Sequence, residues 1–410
     1  MTTSVELLVD AAVVIDEAVV DGWVAVAGDS IFAVGARHES PPQTDIRTSL
    51  SGATVLPGFI DIHVHGGGGD SFGGDHETNH RVAAFHLAHG TTALLPTLVT
   101  AGPAAMLQAV ETLGRTRETG TGRARVLGVH LEGPFISPER RGAHDPALIR
   151  SPGADELERL CEAGDGRVRL LTAAPELAGF SELSQTAARA GVRVAAGHTD
   201  ASGEQLVSAV SSGVASLTHT FNAMRSIGQR DPGVVEAITD TTVFCEVIAD
   251  GIHVHPAMIR MLRRLAGPDR VVLVTDASEF AGRPDGDYVT PRRSVGVADG
   301  AVRLTGTQTL AGSTLTMLAA AQNYVSYTGA RLPELAAVTS RNAARLLGEE
   351  HRLGRLQPGY AADLVVLDER LECRGVMSSG TWVPGFAVPG SSVSVRSGAT
   401  ADVDGGAHAR

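Results

Sequence analysis

The sequence contains no lysine, and all 34 of its basic residues are arginine. This absence excludes several kinds of catalysis, because Schiff-base enzymes and P-loop nucleotide-binding sites both depend on a lysine. It also excludes the carboxylated lysine that often bridges two metal ions in barrel hydrolases. If this chain binds two metal ions, the residue that bridges them must be something other than a lysine.

Cysteine is scarce as well. Cys161, Cys245 and Cys373 are widely spaced and form no C-x-x-C pair, which is typical of a protein in a reducing cytoplasm. The N-terminus has no basic segment followed by an apolar one, so we expect no signal peptide. No apolar run reaches the roughly 18–20 residues that a membrane span needs. We therefore expect a cytoplasmic protein with no membrane partner.

The charge balance limits the partners further. The formal net charge is −12 over 410 residues, which argues against nucleic acid as a partner. An anionic substrate would need a local positive pocket. The hydrophobic content of 43% is ordinary for a globular protein, and the chain is long enough for more than one domain.

The two ends of the chain predict one small β-domain. Residues 1–56 contain short apolar runs separated by glycine turns, and residues 351–384 repeat that pattern. Neither end suffices for a stable sheet, so we expect them to meet in a discontinuous β-sandwich. The tail, residues 385–410, is rich in Ser, Gly, Val and Ala and is expected to be mobile.

The middle of the chain, residues 57–350, alternates strand-like and helix-like segments and predicts a TIM (β/α)8 barrel of the α/β class. Strand candidates include Val192–Ala196 and Val271–Val274, and helix candidates include Ser202–Ser212 and Pro333–Leu347, which Gly348 would end. A doubly wound open sheet is the alternative, but no G-x-G-x-x-G follows the first strand.

Residues that can bind a metal recur at the ends of the apolar runs. In a barrel these strand ends converge on one face, where the active site is built. Two histidines two positions apart on a strand project to the same side. The candidates are His63, His65, Glu132, His198, His219 and Asp276.

Histidine and carboxylate without cysteine indicate a catalytic metal site, with Zn²⁺ favoured and Fe²⁺ or Mn²⁺ as alternatives. A metal of this kind supplies hydroxide at neutral pH by lowering the pKa of water. Asp276 could take the proton of the water and give it to a leaving amine. This combination predicts hydrolysis of an amide or a related C–N bond, and Glu132 is the natural candidate to bridge two ions.

The motifs around these residues resemble those of the N-acetylglucosamine-6-phosphate deacetylase family, within the amidohydrolase superfamily, over almost the whole chain. His130-Leu131-Glu132-Gly133-Pro134 and His219-Thr220-Phe221-Asn222-Ala223-Met224 are the most specific of them. The opening Pro57-Gly58-Phe59-Ile60-Asp61-Ile62-His63-Val64-His65 motif is shared more widely among amidohydrolases.

The resemblance implies a role for each matched residue. Glu132, His198 and His219 would hold the first metal, and Asp276 would be the general acid and base. His144 would contact the sugar or the amide and help to polarise the carbonyl. Arg230 would reach the neighbouring subunit's site, which implies a homodimer. The implied substrate contacts are Ala143, His144, Asn222, Ala223, Arg230, His253, Leu310, Ala311 and Gly312.

The H-x-H pair bears on the number of ions. Some members of the family lack these histidines and work with one metal, whereas this chain keeps both. We therefore expect one or two ions per subunit, the second held by His63 and His65 with Glu132 as the bridge. The histidines that fit no ligand motif are expected at the surface or in loops: His38, His76, His80, His86, His89, His351 and His408.

The expected reaction is hydrolysis of a small-molecule sugar phosphate, N-acetyl-D-glucosamine 6-phosphate, to D-glucosamine 6-phosphate and acetate, in amino-sugar catabolism or cell-wall recycling. The galactosamine epimer is an alternative substrate, since epimer choice depends on pocket detail. A cyclic-amide hydrolase is a second alternative, against which the missing lysine and the His-Thr-Phe-Asn-Ala-Met motif argue. A non-catalytic relative would be expected to have lost metal ligands, and no matched position is lost.

Overall fold

The computed structural model describes residues 4–44, 46–116, 118, 122–290 and 293–386. The predicted mobile tail lies outside these ranges, apart from residues 385 and 386. No helix in the described part of the chain combines the length and the apolar character that crossing a membrane requires.

Eight parallel strands form the predicted TIM barrel, and their apolar side chains are buried because helices cover the outside. Between the first and eighth strands the barrel closes at a seam, where Val64 bridges to Ala277 and the Asp276 amide donates to the His63 carbonyl at 2.8 Å. The alternative of an open sheet is wrong. The strands in chain order are Phe59–Val64, Thr91–Val99, Val129–Glu132, Val168–Ala173, Arg193–Ala196, Val214–Leu217, Phe244–Ile248 and Val271–Val274, and the short strand Arg125–Val126 also pairs with the second.

The helices pack around the barrel. Ser202 begins one of them with a capping box, and Gly348 ends the last with a φ of 74°. The segment predicted as one helix over Pro333–Leu347 contains a π-helical turn at Ala337–Arg341, where the Ser340 hydroxyl donates to the Gly58 carbonyl at 2.9 Å. The α-helices are His76–Leu87, Pro103–Gly114, Ala154–Ala163, Phe180–Arg189, Gly203–Ser211, Val234–Asp240, Pro256–Ala266, Met317–Thr328, Leu332–Ala336 and Asn342–Leu347, with 3₁₀ turns at Pro138–Arg140 and Pro146–Leu148.

The two chain ends meet in a β-domain, as predicted. Leu364–Leu367 pairs antiparallel with Thr54–Pro57 and joins the late strands to the early ones in one sheet with its own apolar core. A buried ion pair between Arg125 and Asp363, at 3.3 Å, ties this domain to the barrel. The domain boundaries given above stay predictions. The remaining strands of the sheet are Val5–Ile15, Ala18–Ala27, Ser30–Ala36, Ile46–Ser49, Cys373–Ser378 and Thr381–Trp382.

A four-stranded antiparallel sheet, which the sequence analysis did not identify, follows the eighth barrel strand. A bridge between Ala277 and Ser313 attaches it to the barrel seam, and its last strand therefore lies beside the carboxyl end of the barrel. Its strands are Gly286–Val289, Ser294–Ala298, Ala301–Leu304 and Leu310–Ser313, and a two-stranded ribbon, Gly66–Gly67 with Asp70–Ser71, follows the first barrel strand.

His86 is not a surface histidine, so that expectation is wrong. It lies fully buried in the helix His76–Leu87 and contacts the Gly66 carbonyl oxygen at 2.9 Å. Burial lowers the pKa of His86 to about 4, so the ring is neutral. It therefore packs the glycine ribbon against the barrel.

Candidate active site

The carboxyl ends of the barrel strands bring all six predicted metal ligands together, and none of the six side chains is more than 12% exposed. His63 and Glu132 are the last or next-to-last residues of their strands, whereas His198, His219 and Asp276 each follow a strand by two positions. These last three have positive φ angles of 47°, 30° and 49°, a conformation that costs energy outside glycine and often marks functional sites.

The six side chains form two neighbouring clusters of three, and the first cluster is Glu132, His198 and His219. In the first cluster, one oxygen of Glu132 lies 3.1 Å from Nε2 of both His198 and His219. The second cluster is His63, His65 and Asp276, in which Nε2 of His65 lies 3.2 Å from Nε2 of His63 and 3.0 Å from the Asp276 carboxylate. Tetrahedral ligands about 2.0–2.1 Å from a zinc ion lie roughly 3.3 Å apart, so both clusters fit one divalent ion each.

Glu132 also reaches the second cluster. Its two oxygens lie 3.3 Å from Nε2 of His63 and 3.4 Å from Nε2 of His65. Oε1 thus lies close to histidines of both clusters and Oε2 lies close to His65, so the carboxylate as a whole contacts both clusters, as a bridging ligand would. The donor set therefore fits two ions joined by Glu132 without a lysine.

Backbone carbonyls orient two of the histidines. Nδ1 of His198 lies 2.8 Å from the Arg140 oxygen, and Nδ1 of His65 lies 3.1 Å from the Thr97 oxygen. A carbonyl can only accept, so Nδ1 of each ring donates and Nε2 keeps its lone pair toward the cluster. Nδ1 of His63 and of His219 has no hydrogen-bond partner among the described residues.

Charges within the site shift the pKa values of its members. Burial alone would raise the pKa of Asp276, but the hydrogen bond from His65 and the charge of His63 outweigh it and hold this pKa below its ordinary value. Burial likewise would lower the pKa of His63, yet the nearby carboxylate of Glu132 holds it well above the ordinary value. The two shifts share one cause, which is the attraction between the His63 imidazole and the carboxylates around it.

The clusters lie at the bottom of a cavity of about 1100 Å³. His144 belongs to its wall, where Nδ1 lies 2.8 Å from the Thr100 hydroxyl and Nε2 lies 3.3 Å from the Glu132 carboxylate. Arg230 does not line the cavity and is exposed. The other predicted substrate contacts all line it: Ala143, His144, Asn222, Ala223, His253, Leu310, Ala311 and Gly312.

Two of these wall residues are fixed by neighbours. The Asn222 amide donates to the His219 carbonyl at 3.1 Å, so its position is tied to that of a predicted metal ligand. Gly312 has a φ of 76°, and a Cβ there would lie 3.1 Å from the Asp276 carbonyl oxygen. The strand Leu310–Ser313 therefore approaches Asp276 more closely than an ordinary side chain would allow.

His253 is held by Asp250, whose carboxylate lies 2.6 Å from Nδ1 of the ring. Burial lowers the pKa of His253, but the hydrogen bond and charge of Asp250 outweigh burial and raise it. The ring is thus oriented by a carboxylate and favours the protonated form, which suits a contact with an electron-rich oxygen.

Sequence reasoning missed the polar residues inside the strands. Asp61 accepts from the Thr275 hydroxyl at 2.6 Å beneath the second cluster, and burial raises the pKa of Asp61 to about 6. Glu246 lies fully buried in the seventh strand and contacts the Ser216 hydroxyl at 2.7 Å. The signal was present in the sequence, since each is a carboxylate within an otherwise apolar run.

Comparisons with known proteins identify the family of this chain. The Amidohydrolase family matches residues 54–383. An N-acetylgalactosamine-6-phosphate deacetylase of Escherichia coli O157:H7 is 36% identical over 335 residues, 81% of this chain and 88% of that protein. An N-acetylglucosamine-6-phosphate deacetylase of Danio rerio is 36% identical over 352 residues, 83% of this chain and 86% of that protein.

Solved structures are similar over an even larger share. A mutant N-acetyl-D-glucosamine-6-phosphate deacetylase from Mycobacterium smegmatis, in complex with N-acetyl-D-glucosamine-6-phosphate, superposes with a TM-score of 0.86 at 40% identity, covering 93% of this chain and 99% of that one. The chain therefore belongs to the amidohydrolase family, in its N-acetylglucosamine-6-phosphate deacetylase branch.

Proposed function

We propose that this protein hydrolyses N-acetyl-D-glucosamine 6-phosphate to D-glucosamine 6-phosphate and acetate, with the help of a divalent metal. The observation that carries the proposal is the position of Asp276, whose carboxylate lies at the bottom of the cavity, 3.0 Å from His65 and beside the histidines around Glu132. The relative from Mycobacterium smegmatis that binds this sugar phosphate supports the choice of substrate.

The first metal would be held by Glu132, His198 and His219, and a second by His63, His65 and Asp276 with Glu132 between them. Zn²⁺ is favoured because the donors are histidine nitrogens and carboxylate oxygens, with Fe²⁺ and Mn²⁺ as alternatives. When bound, such an ion lowers the pKa of water toward 7 and polarises the acyl carbonyl.

Asp276 moves the proton in this reaction. Its carboxylate is ionised, since its pKa lies below the ordinary value, and it can therefore accept a proton from the attacking water. The same carboxyl group then gives that proton to the sugar nitrogen as the C–N bond breaks. Without this second transfer the leaving group would be an amide anion, which is too basic to depart.

His144 and the cavity wall position the substrate. Nε2 of His144 faces the same space as Glu132, and we assign to it a hydrogen bond that stabilises the negative charge developing on the acyl oxygen. Asn222, Ala223 and His253 are the proposed contacts of the sugar and its phosphate, together with Ala143 and the segment 310–312, which line the same cavity.

The phosphate needs a cation that the cavity of one subunit supplies poorly. Among the described residues that line it, the arginines are Arg140 and Arg293, and each is already paired with a carboxylate, of Asp200 and Glu279 respectively. Arg230 is exposed on the surface of its own subunit, so its guanidinium is accessible to a neighbouring subunit. We therefore propose a homodimer in which Arg230 of one subunit binds the phosphate in its neighbour, since arginine contacts phosphate through two parallel hydrogen bonds.

The location proposed for this enzyme is the cytoplasm. Its cysteines, Cys161, Cys245 and Cys373, are free thiols, as expected where the surroundings are reducing.

The galactosamine epimer is a second candidate substrate, favoured by the relative from Escherichia coli O157:H7. Acetate release from the two epimeric sugar phosphates, with metal analysis of the same sample, tests both. We expect a higher kcat/KM for the glucosamine epimer and at least one equivalent of Zn²⁺, Fe²⁺ or Mn²⁺. A preference for the other epimer would select the second candidate, and no acetate from either would refute both.

A further inference from the structure

Glu246 is a buried carboxylate beneath the second cluster that the proposed reaction does not use. It points into the barrel from the seventh strand with no exposed surface. One of its oxygens accepts from the Ser216 hydroxyl at 2.7 Å, whereas the other has no hydrogen-bond partner among the described residues. Buried carboxylate oxygens are rarely left unpartnered, so this oxygen requires an explanation.

The atom that faces this oxygen is also unpartnered. It is Nδ1 of His63, fully buried and 3.9 Å away. A water molecule that bridged two atoms this close at ordinary hydrogen-bond lengths would have to bend its two bonds to about 90°, which is unfavourable. The imidazole donor and the carboxylate acceptor satisfy each other more simply by a direct hydrogen bond, which needs a shift of about 1 Å.

We propose that Glu246 is a positioning residue for the second metal site: it accepts a hydrogen bond from Nδ1–H of His63 and so fixes Nε2 as the nitrogen that binds the ion. His65 and His198 receive the same orientation from backbone carbonyls, as described above. A carboxylate in this place also makes the imidazole a stronger ligand. Ser216 keeps the carboxylate from rotating away.

This inference rests on the proposed metal site but not on the proposed substrate, so its test uses metal alone. Metal-free protein is titrated with Zn²⁺ in a calorimeter, and a His65→Ala variant identifies which binding step belongs to the second cluster. We expect wild type to bind two equivalents. Glu246→Met, which keeps the volume and removes the acceptor, should weaken the second-cluster step about 10–100-fold and leave the other step unchanged.

Two further variants make the result decisive. Glu246→Gln keeps an acceptor oxygen and should weaken the same step by less than tenfold, so it serves as the test if the Met variant does not fold. Glu349→Gln is the control, because Glu349 is also a buried carboxylate, but it pairs with Arg169 and Arg352 away from the cavity. It should leave both steps unchanged.

Three outcomes would overturn the proposal. They are a single equivalent of Zn²⁺ in wild type, wild-type affinity at both steps in the Glu246 variants, and equal weakening of both steps. Each is independent of acetate release. A protein that fails to deacetylate the sugar phosphate but shows the predicted split would refute the proposed function and leave the role of Glu246 intact.

Discussion

Replacing Asp276 with Asn removes the proposed proton-transferring group and turns one carboxylate ligand of the proposed second ion into an amide. The two side chains have the same shape, and an amide oxygen can still face Nε2 of His65, which lies 3.0 Å from the carboxylate. The first cluster contains no atom of Asp276. We therefore expect the variant to fold, to keep at least one metal equivalent and to bind substrate with a similar KM.

The size of the loss in kcat follows from what remains. General acid–base catalysis contributes about 10²–10⁴-fold, or roughly 3–5 kcal/mol of the barrier. Glu132, the carboxylate of the first cluster, already has His198 and His219 at one oxygen and His144 3.3 Å from the other. It cannot replace Asp276 as the base, so we expect a loss toward the upper end of that range.

The assay is acetate release under saturating substrate, with metal content measured on the same protein. Asp75→Asn is a matched control, because Asp75 lies at the rim of the cavity and caps the helix His76–Leu87, where Asn caps equally well. Its kcat should be that of wild type. A kcat near wild type for Asp276→Asn, with metal bound, would refute the assigned proton transfer.

Three further predictions address the metal, the dimer and the domain contact. The pKa of His63 is held well above its ordinary value, so a metal must displace a proton from this ring. Metal binding at the second cluster should therefore weaken as pH falls. Calorimetry in two buffers of different ionisation enthalpy should detect the released proton. Arg230→Ala should raise KM at least tenfold, and mixing it with Asp276→Asn should restore activity through hybrid dimers with one intact site; no restoration would argue against the shared site. Arg125→Ala should lower the free energy of unfolding by about 3–5 kcal/mol, measured in urea, because it leaves Asp363 buried without its partner.

The barrel could be predicted because its strands are short apolar runs bounded by polar residues. Val271–Val274 begins and ends where the sequence indicated, since aliphatic side chains there are buried on both faces. The helix near the end of the barrel was different. Its π-helical turn is stabilised by Ser340 donating to Gly58, a contact between residues 282 positions apart that no local pattern reveals.

Some residues of the site could likewise be predicted from the sequence, and others could not. Ligands that end a strand, such as Glu132 and His219, could be predicted because the carboxyl ends of barrel strands converge. Glu246 was missed because it lies inside the strand Phe244–Ile248, two positions before the last residue, and the prediction considered only polar residues at strand ends. The antiparallel sheet over Gly286–Ser313 was missed as well, although Val295 and Val297 alternate with exposed or half-buried neighbours as an antiparallel strand requires.

Because the second cluster lies at the seam of the barrel, an ion bound there would also affect the stability of the folded chain. His63 and Asp276 are neighbours in space but stand 213 positions apart in the sequence. An ion held by both would close a loop of that length, and the chain entropy lost by a covalent link of this size is worth about 5 kcal/mol to the folded state. The proposed second ion would thus also stabilise the closed barrel by linking its first and last strands. In a cell short of the metal, the protein would unfold more easily as well as turn over more slowly.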